Sequence, residues 1–437
     1  MARESLRSKT EGAFESHVAI DYDPRRFGYP QMRKSFVVIG GGVTGVTTAY
    51  ALARYGHLVT LIERNRYAAM ETSFANGGQL SASNAEVWNN WATVLKGMKW
   101  LFKKDAPLLV NLQPSWHKFS WFAEFMAAIP RYEPNTITTA KMAIAAREHL
   151  FGWARDEGID FDLKMEGILH IYRDKAGFEH AGRVSALLAK GGLRRRAVTP
   201  SDMKAIEPTL SGSYYGGYFT ESDATGDIHK FTHGLAAAAE RRGVIVLYDR
   251  EVLRVSSDGQ RATVVTRHEG QSDPLSFDNI VVCAGVGSRD LAAQLGDRLN
   301  VYPVKGYSIT VSLDDPCSQQ AAPNVSLLDD ETKLVTSRLG VSRFRVAGTA
   351  EFNGFNRDIR ADRIRPLVDW VHACFPNVNT RSVLPWVGLR PMMPDMMPRV
   401  GPGTKPNVFY NTGHGHLGWT LSAGTAEMLA GQLSAKA

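Results

Sequence analysis

The chain has 437 residues, 44% hydrophobic and 22% charged, enough for two domains with substantial cores in ordinary globular proportions. Its net charge of +7 is small for that length, and Arg194-Arg195-Arg196 supplies three of the charges, which argues against nucleic-acid binding and suits an anionic substrate or membrane surface better. No apolar run approaches the roughly 18 residues of a membrane span, and the first 30 residues are too polar for a secretory signal. Cys283, Cys317 and Cys374 lie far apart with no metal-ligand spacing, so they read as buried or half-buried thiols in a reducing, cytoplasmic compartment.

Residues 1–34 read as a polar leader, with Met32 a candidate natural start. Val37-Val38-Ile39 is an apolar strand running into Gly40-Gly41-Gly42-Val43-Thr44-Gly45. In such a turn the first glycine allows the bend, the second lets the backbone approach a pyrophosphate, and the third lets the following helix pack closely on the sheet. Val43, Val46, Tyr50 and Ala53 then recur at helical spacing, and Gly56 ends that helix. A second strand, Leu58 to Ile62, ends at Glu63, close to the ~20 residues past the turn where an acid meets a ribose. Strand, glycines, helix, strand and acid in that order point to a dinucleotide, FAD or NAD; the bland alternative is a βαβ unit that binds nothing.

Residues 88–130 hold Trp88, Trp91, Trp100, Phe102, Trp116, Phe119, Trp121, Phe122 and Phe125, with Lys96, Lys99, Lys103 and Lys104 interleaved. They read first as helices packed on a second domain, and second as a lid or membrane-docking segment with snorkelling lysines. Strands are expected at Glu166–Arg173, Tyr214–Thr220, Val244–Leu247 and Glu251–Val255, and helices over 176–190 and after an Asp227 cap. Asn279 to Cys283 is a buried strand entering a second glycine turn, so the nucleotide unit returns after an insertion. Asn300–Val311 and Arg343–Thr349 read as further strands. Without repeats or linkers, the domains interleave: 35–90, 221–290 and 387–437 for the nucleotide domain, 91–220 and 291–386 for the other.

Near the end, Asn411-Thr412-Gly413-His414-Gly415-His416-Leu417-Gly418-Trp419-Thr420 leads into an apolar helix. Its N-terminus is suited to an electron-rich group such as the pyrimidine end of a reduced flavin. Two histidines one residue apart with no third ligand argue against a metal. Arg390 is expected in a proline-bounded loop, with Pro385, Pro391 and Pro394, where a rigidly held guanidinium can grip a carboxylate at two points; a surface arginine is the alternative.

Together, the first turn, Glu71 to Gln79, Val301 to Ser308, Gly388 to Asp395 and Asn411 to Thr420 resemble the FAD-dependent D-amino acid dehydrogenases of the D-amino acid oxidase superfamily, over about Arg33 to Ala435. The resemblance implies an α/β fold with a Rossmann-like FAD-binding domain and an interleaved mixed-sheet substrate domain. It implies FAD held by Gly40, Gly42, Val43, Thr44, Gly45, Glu63, Arg64, Thr72, Ser73, Asn76, Gly77, Gly78, Val252, Ala284, Gly285, Gly415, His416, Leu417, Gly418, Trp419 and Thr420. Arg390 would bind the substrate carboxylate with Tyr307 as a second contact, and His416 joins them as a catalytic candidate. One departure stands out: family members have a Ser-Pro-Gly-Tyr run after Gln79, where this chain reads Leu80 to Asn89. Glu86 in that stretch suits a cationic or hydroxylated substrate, or is merely a capping or solvent-exposed acid, so the side chain of the substrate stays open.

The reaction implied is oxidation of a D-amino acid by hydride transfer to flavin N5, then hydrolysis to a 2-oxo acid and ammonia. Electrons would pass to a quinone or another respiratory acceptor, with the protein cytoplasmic or peripheral on the inner face of the cytoplasmic membrane. The alternatives are an oxygen-reducing amino acid oxidase, a dehydrogenase of glycine or of a cyclic D-imino acid of the D-proline type, and a dinucleotide-binding protein without turnover.

Overall fold

A computed structural model of the chain describes residues 33–100 and 107–435. The leader through Met32, and Phe102, Lys103 and Lys104, lie outside the described residues. Strand Ser35–Ile39 occupies the middle of a six-stranded sheet. It pairs in parallel with Leu58–Ile62 on one side and Asn279–Val282 on the other. Ile245–Leu247 extends the first side, while Val408–Thr412 and the antiparallel edge Arg399–Pro402 extend the second. The strand alternates as a sheet buried on both faces requires. Phe36 and Val38 join one core with helices Val43–Arg54, Ile228–Arg241 and Gly418–Ser434. Val37 and Ile39 join another with Val255, Val264 and Leu291. Helix Ile228–Arg241 starts where expected: the Asp227 carboxylate accepts from the amides of His229 and Lys230 at 2.9 and 3.2 Å.

A nine-stranded mixed sheet forms the second part. Its path runs through Val383–Met392, Tyr302–Ser312, Arg343–Phe352, Leu334–Leu339, Ser326–Asp329, Ile168–Tyr172, Gly216–Thr220 and Arg196–Val198, with Leu108–Val110 beside Arg343–Phe352. Helix Ala361–Cys374 covers one face through Leu367, Trp370 and Val371, against Ile309 and Val311. Residues 387–392, grouped with the nucleotide segments on sequence, run in this sheet: Val383–Met392 pairs with the Tyr302–Ser312 strand from Tyr302↔Met392 to Val311↔Val383. A meander of Glu251–Ser257, Ala262–His268 and Gln271–Phe277 stands apart.

Two expectations need correction. Cys317 is exposed, because it sits in the first turn of a short surface helix, Pro316–Ala321; Cys283 and Cys374 are buried. The aromatic segment divides. Trp121 and Phe125 are buried, and Trp121 Nε1 donates to Met392 O at 2.9 Å. Helix Trp91–Trp100 buries none of its residues, and Trp116 is 83% exposed.

Candidate active site

The sheet edges and the mixed sheet enclose a cavity of about 1780 Å³, above the roughly 300–1,000 Å³ of an ordinary single-ligand pocket. Its dinucleotide end is made of main chain. Gly40 has φ +108, and a Cβ there would lie 2.7 Å from Cys283 O. A Cβ on Gly45 would run into Gly40 O, so this glycine, which does not line the cavity, seats the helix on the turn. Gly42 differs: its φ is −73, and a Cβ there would meet only Ser73 Oγ, at 3.6 Å. Nothing in the protein requires a glycine at that position, and it faces the cavity. Glu63 is held against the turn. Its Oε2 accepts from Gly41 N at 2.5 Å, and its Oε1 accepts from Asn65 N at 2.8 Å. The amide of Val43 donates to Ser73 Oγ at 3.0 Å. Arg64 pairs with Glu71, which also holds Arg357.

Segment 72–80 crosses from one sheet to the other, tied by side chains of the mixed sheet. Ser308 donates to Ala75 O at 2.8 Å, Arg345 Nη1 to Asn76 O at 3.0 Å, and Ser337 to Gly77 O at 2.7 Å. Thr72 Oγ1 in turn donates to Leu389 O at 2.8 Å, next to Arg390. Thr72, Ser73, Asn76, Gly77 and Gly78 all line the cavity, as do Val252, Ala284 and Gly285.

Arg390 lies at the far end, its guanidinium across Gly306, where a Cβ would collide with it. Opposite Gly306 the sheet register slips between Lys305↔Glu351 and Tyr307↔Gly348, a β-bulge that leaves Thr349 and Ala350 out of step. Thr349 has φ +57, a strained conformation for a β-branched residue. Its carbonyl accepts from Arg390 Nη1 at 2.7 Å, and Gly348 O accepts from Nη2 at 3.4 Å. Among the described residues no carboxylate pairs with Arg390, and burial pulls its pKa down to about 10, still charged at neutral pH. A half-buried cation held only by carbonyls and facing a cavity is disposed to take an anion.

Tyr307 also lines the cavity, but its hydroxyl donates to Glu351 Oε2 at 2.8 Å. Burial and that acid raise its pKa. In this arrangement its one proton is given to Glu351, while the residue lines the cavity. The reason is tertiary: the bulge brings Glu351, itself within 3.4 Å of Lys305 Nζ, beside the ring.

Facing Arg390 is the turn before helix Gly418–Ser434. His414 forms a bridge with Met392 and contacts Thr425 Oγ1 at 2.9 Å through Nε2. His416 Nε2 lies 3.2 Å from Asn84 O, and its ring stacks on Trp88 at 5.0 Å and 20°. Burial holds its pKa to about 4, so the ring is neutral at pH 7. With the Nε2 proton given to Asn84 O, Nδ1 keeps a lone pair, and it has no protein partner. Gly415, Leu417, Gly418, Trp419 and Thr420 also line the cavity, while the Trp419 ring packs edge-on against Phe161 and Phe231.

A family described as FAD dependent oxidoreductase matches residues 35–432. The chain belongs to that family. It is 62% identical over 394 residues to D-amino acid dehydrogenase 3 of Mesorhizobium japonicum, covering 90% of this chain and 95% of that protein. It is 41% identical over 411 residues to the D-amino acid dehydrogenase of Paramagnetospirillum magneticum, covering 92% and 95%. Among solved structures, glycine oxidase from Geobacillus kaustophilus superposes with a TM-score of 0.72 at 19% identity, over 92% of this chain and 95% of that one, which shows the shared fold.

FAD fits the residues present. Gly42 keeps open a space that no protein atom needs, and Thr44 N–H belongs to the helix turn whose amides a helix cannot satisfy itself. The same cavity continues from that turn to His416 and Arg390. The sequence motifs left out Gly306, Gly348 and Thr349, which position Arg390, and Asn84 and Trp88, which hold His416. Gly306 lies inside a quoted motif, and Asn84 and Trp88 lie in the Leu80–Asn89 stretch that departs from the family pattern; Gly348 and Thr349 left no signal.

Proposed function

We propose that this chain is a FAD-dependent D-amino acid dehydrogenase, oxidising its substrate to an imino acid that water hydrolyses to a 2-oxo acid and ammonia. The observation that carries the reading is Arg390: a half-buried guanidinium with no acid partner among the described residues, in the same cavity as the dinucleotide turn. Two relatives named D-amino acid dehydrogenase, at 62% and 41% identity, support the substrate class. FAD, when bound, supplies the hydride acceptor. Arg390 holds the substrate carboxylate, and neutral His416 forms a wall that does not repel the amine. No side chain is assigned as base at the α-carbon, so the rate should follow deprotonation of the substrate amine and rise with pH. The test is anaerobic mixing with a panel of D-amino acids; a yellow spectrum that none of them bleaches would sink the enzyme reading. D-proline in the panel tests the cyclic imino acid alternative.

The acceptor we assign is a membrane quinone, with the protein resting on an anionic bilayer surface. Trp91, Leu95 and Met98 form an exposed stripe at helical spacing on Trp91–Trp100, and Trp116 and Phe119 form another on Trp116–Ala127. Lys96 and Lys99 are exposed beside the first stripe. Between Glu86 and Glu124 the sequence has one acid, Asp105, against Lys96, Lys99, Lys103, Lys104 and Lys118. No described helix is long and apolar enough to cross a membrane. Co-sedimentation with anionic vesicles, lost in zwitterionic ones and in Trp91→Ser/Trp116→Ser, is the expected result. Reoxidation faster with oxygen than with quinone in stopped flow would turn the reading to an oxidase.

A further inference from the structure

The stretch Leu80–Asn89, where the chain departs from the family pattern, forms a clamp around His416. Ser81 caps a short turn over Ala82–Asn84. That turn is anchored by the buried carboxylate of Asp223, which accepts from Ala82 N at 3.1 Å and Ser83 N at 3.0 Å. Asn84 O accepts from the His416 ring, and Trp88 stacks on it. Glu86 stands midway between these two contacts and lines the cavity. Its Oε1 accepts from Tyr132 OH at 2.6 Å, with His180 Nε2 at 3.6 Å. Its Oε2 takes no hydrogen bond from a described residue, and the side chain is 26% exposed and lines the cavity. Burial and Glu86 together raise the Tyr132 pKa, so Tyr132 stays a donor and fixes the carboxylate. Two other acids in or beside this wall are already neutralised: Asp330 by Lys333 at 2.6 Å, and Asp329 by Arg173 at 2.6 Å. Arg390, His416 and Glu86 line the same cavity.

We propose that Glu86 reads the substrate side chain and selects D-amino acids that end in a cation, of the D-lysine and D-arginine class. The inference rests on the dehydrogenase reading: Arg390 takes the α-carboxylate, and Glu86 Oε2 takes the side-chain ammonium or guanidinium. A charge-assisted hydrogen bond of this kind is worth roughly 1.5–3 kcal/mol, about ten- to a hundredfold.

The test compares D-lysine with D-norleucine, which has the same carbon chain without the ammonium, by anaerobic bleaching of the flavin-loaded protein. Wild type should half-saturate with D-lysine at a concentration at least tenfold below that for D-norleucine. Glu86→Gln should remove that difference by raising the D-lysine value. Tyr132→Phe, which keeps the carboxylate, should retain a D-lysine preference. Should Glu86→Gln not fold, salt decides in the wild type: added NaCl weakens D-lysine alone. Equal use of the two substrates, or a change in Glu86→Gln shared by both, overturns the assignment. So does a preference for D-glutamate, which would give the wall to Arg183, a second lining residue of the cavity. D-norleucine is the control: if neither it nor D-alanine bleaches the flavin, the reaction falls, whereas turnover without D-lysine preference overturns Glu86 alone.

Discussion

At the dinucleotide end of the cavity, most of the groups that shape the turn lie between Gly40 and Glu63, with Cys283 O and Ser73 Oγ added from outside, and the glycines act through missing side chains. At the Arg390 end they come from four distant places: strand Val383–Met392, the bulge at Thr349, Gly306, and the His416 turn held by Asn84 and Trp88. The first end is a backbone shape, in which Gly40 and Gly45 are each explained by one backbone neighbour and Gly42 by the open cavity. The second is a junction of side chains, where a change in one element moves a group carried by another.

The largest expected effect tests whether two glycines of one turn have separate duties. Gly45→Ala should cost about 3 kcal/mol or more in thermal or urea unfolding, because its Cβ meets backbone that cannot yield. Gly42→Ala should melt within about 1 °C of wild type, roughly 0.9 kcal/mol in a chain of this size, yet bind FAD at least tenfold more weakly by flavin titration. Equal losses of stability would erase the distinction between a packing glycine and a cofactor glycine.

At the other end, Arg390→Lys keeps the charge and loses the planar fork. It should raise the half-saturating concentration of D-alanine by ~30- to 100-fold, about 2–2.7 kcal/mol, with flavin content unchanged. An unaltered value would take the carboxylate away from Arg390.

The pH dependence of stability comes from the side-chain end. Buried His414 has its pKa lowered to about 3. Between that value and the unfolded value of about 6.5, the unfolded chain binds the extra proton, so stability is complete above pH 6.5 and lost as pH falls. At pH 5 the loss from this group is about 2 kcal/mol. Urea unfolding of wild type and His414→Gln at pH 7.5 and 5 measures it; equal pH slopes would remove His414 as the source.

The smallest effect is expected for Gly306→Ala. The atoms its methyl meets are the mobile end of Arg390, so the fold should survive. Displacing the guanidinium should raise the D-alanine half-saturation about tenfold, ~1.4 kcal/mol. Failure to fold would mean that Gly306 serves the sheet rather than the arginine.

These contrasts explain what could be read in advance. The strand, helix and acid around Gly40 were legible because hydrophobic period and glycine position are local properties. Arg390 was legible through its proline-bounded motif. The Tyr307 hydroxyl was not, since the acid that takes its proton, Glu351, is distant in sequence and arrives through a bulge that no periodicity records. The aromatic segment misled for a related reason: Trp121 and Trp116 look alike in sequence, yet one donates to Met392 O in the core and the other is exposed.

By itself, then, the sequence determined the alternation that buries strand Ser35–Ile39 on both faces, the glycine turn, and the residue types facing a flavin, because each follows from neighbours along the chain. Only the tertiary structure decided which polar atoms remain unpaired there. Hydrogen bonding is settled by whatever partner folding brings within about 3 Å: Thr349 and Gly348 carbonyls for Arg390, Glu351 for Tyr307, and Tyr132 for one oxygen of Glu86, leaving the other open.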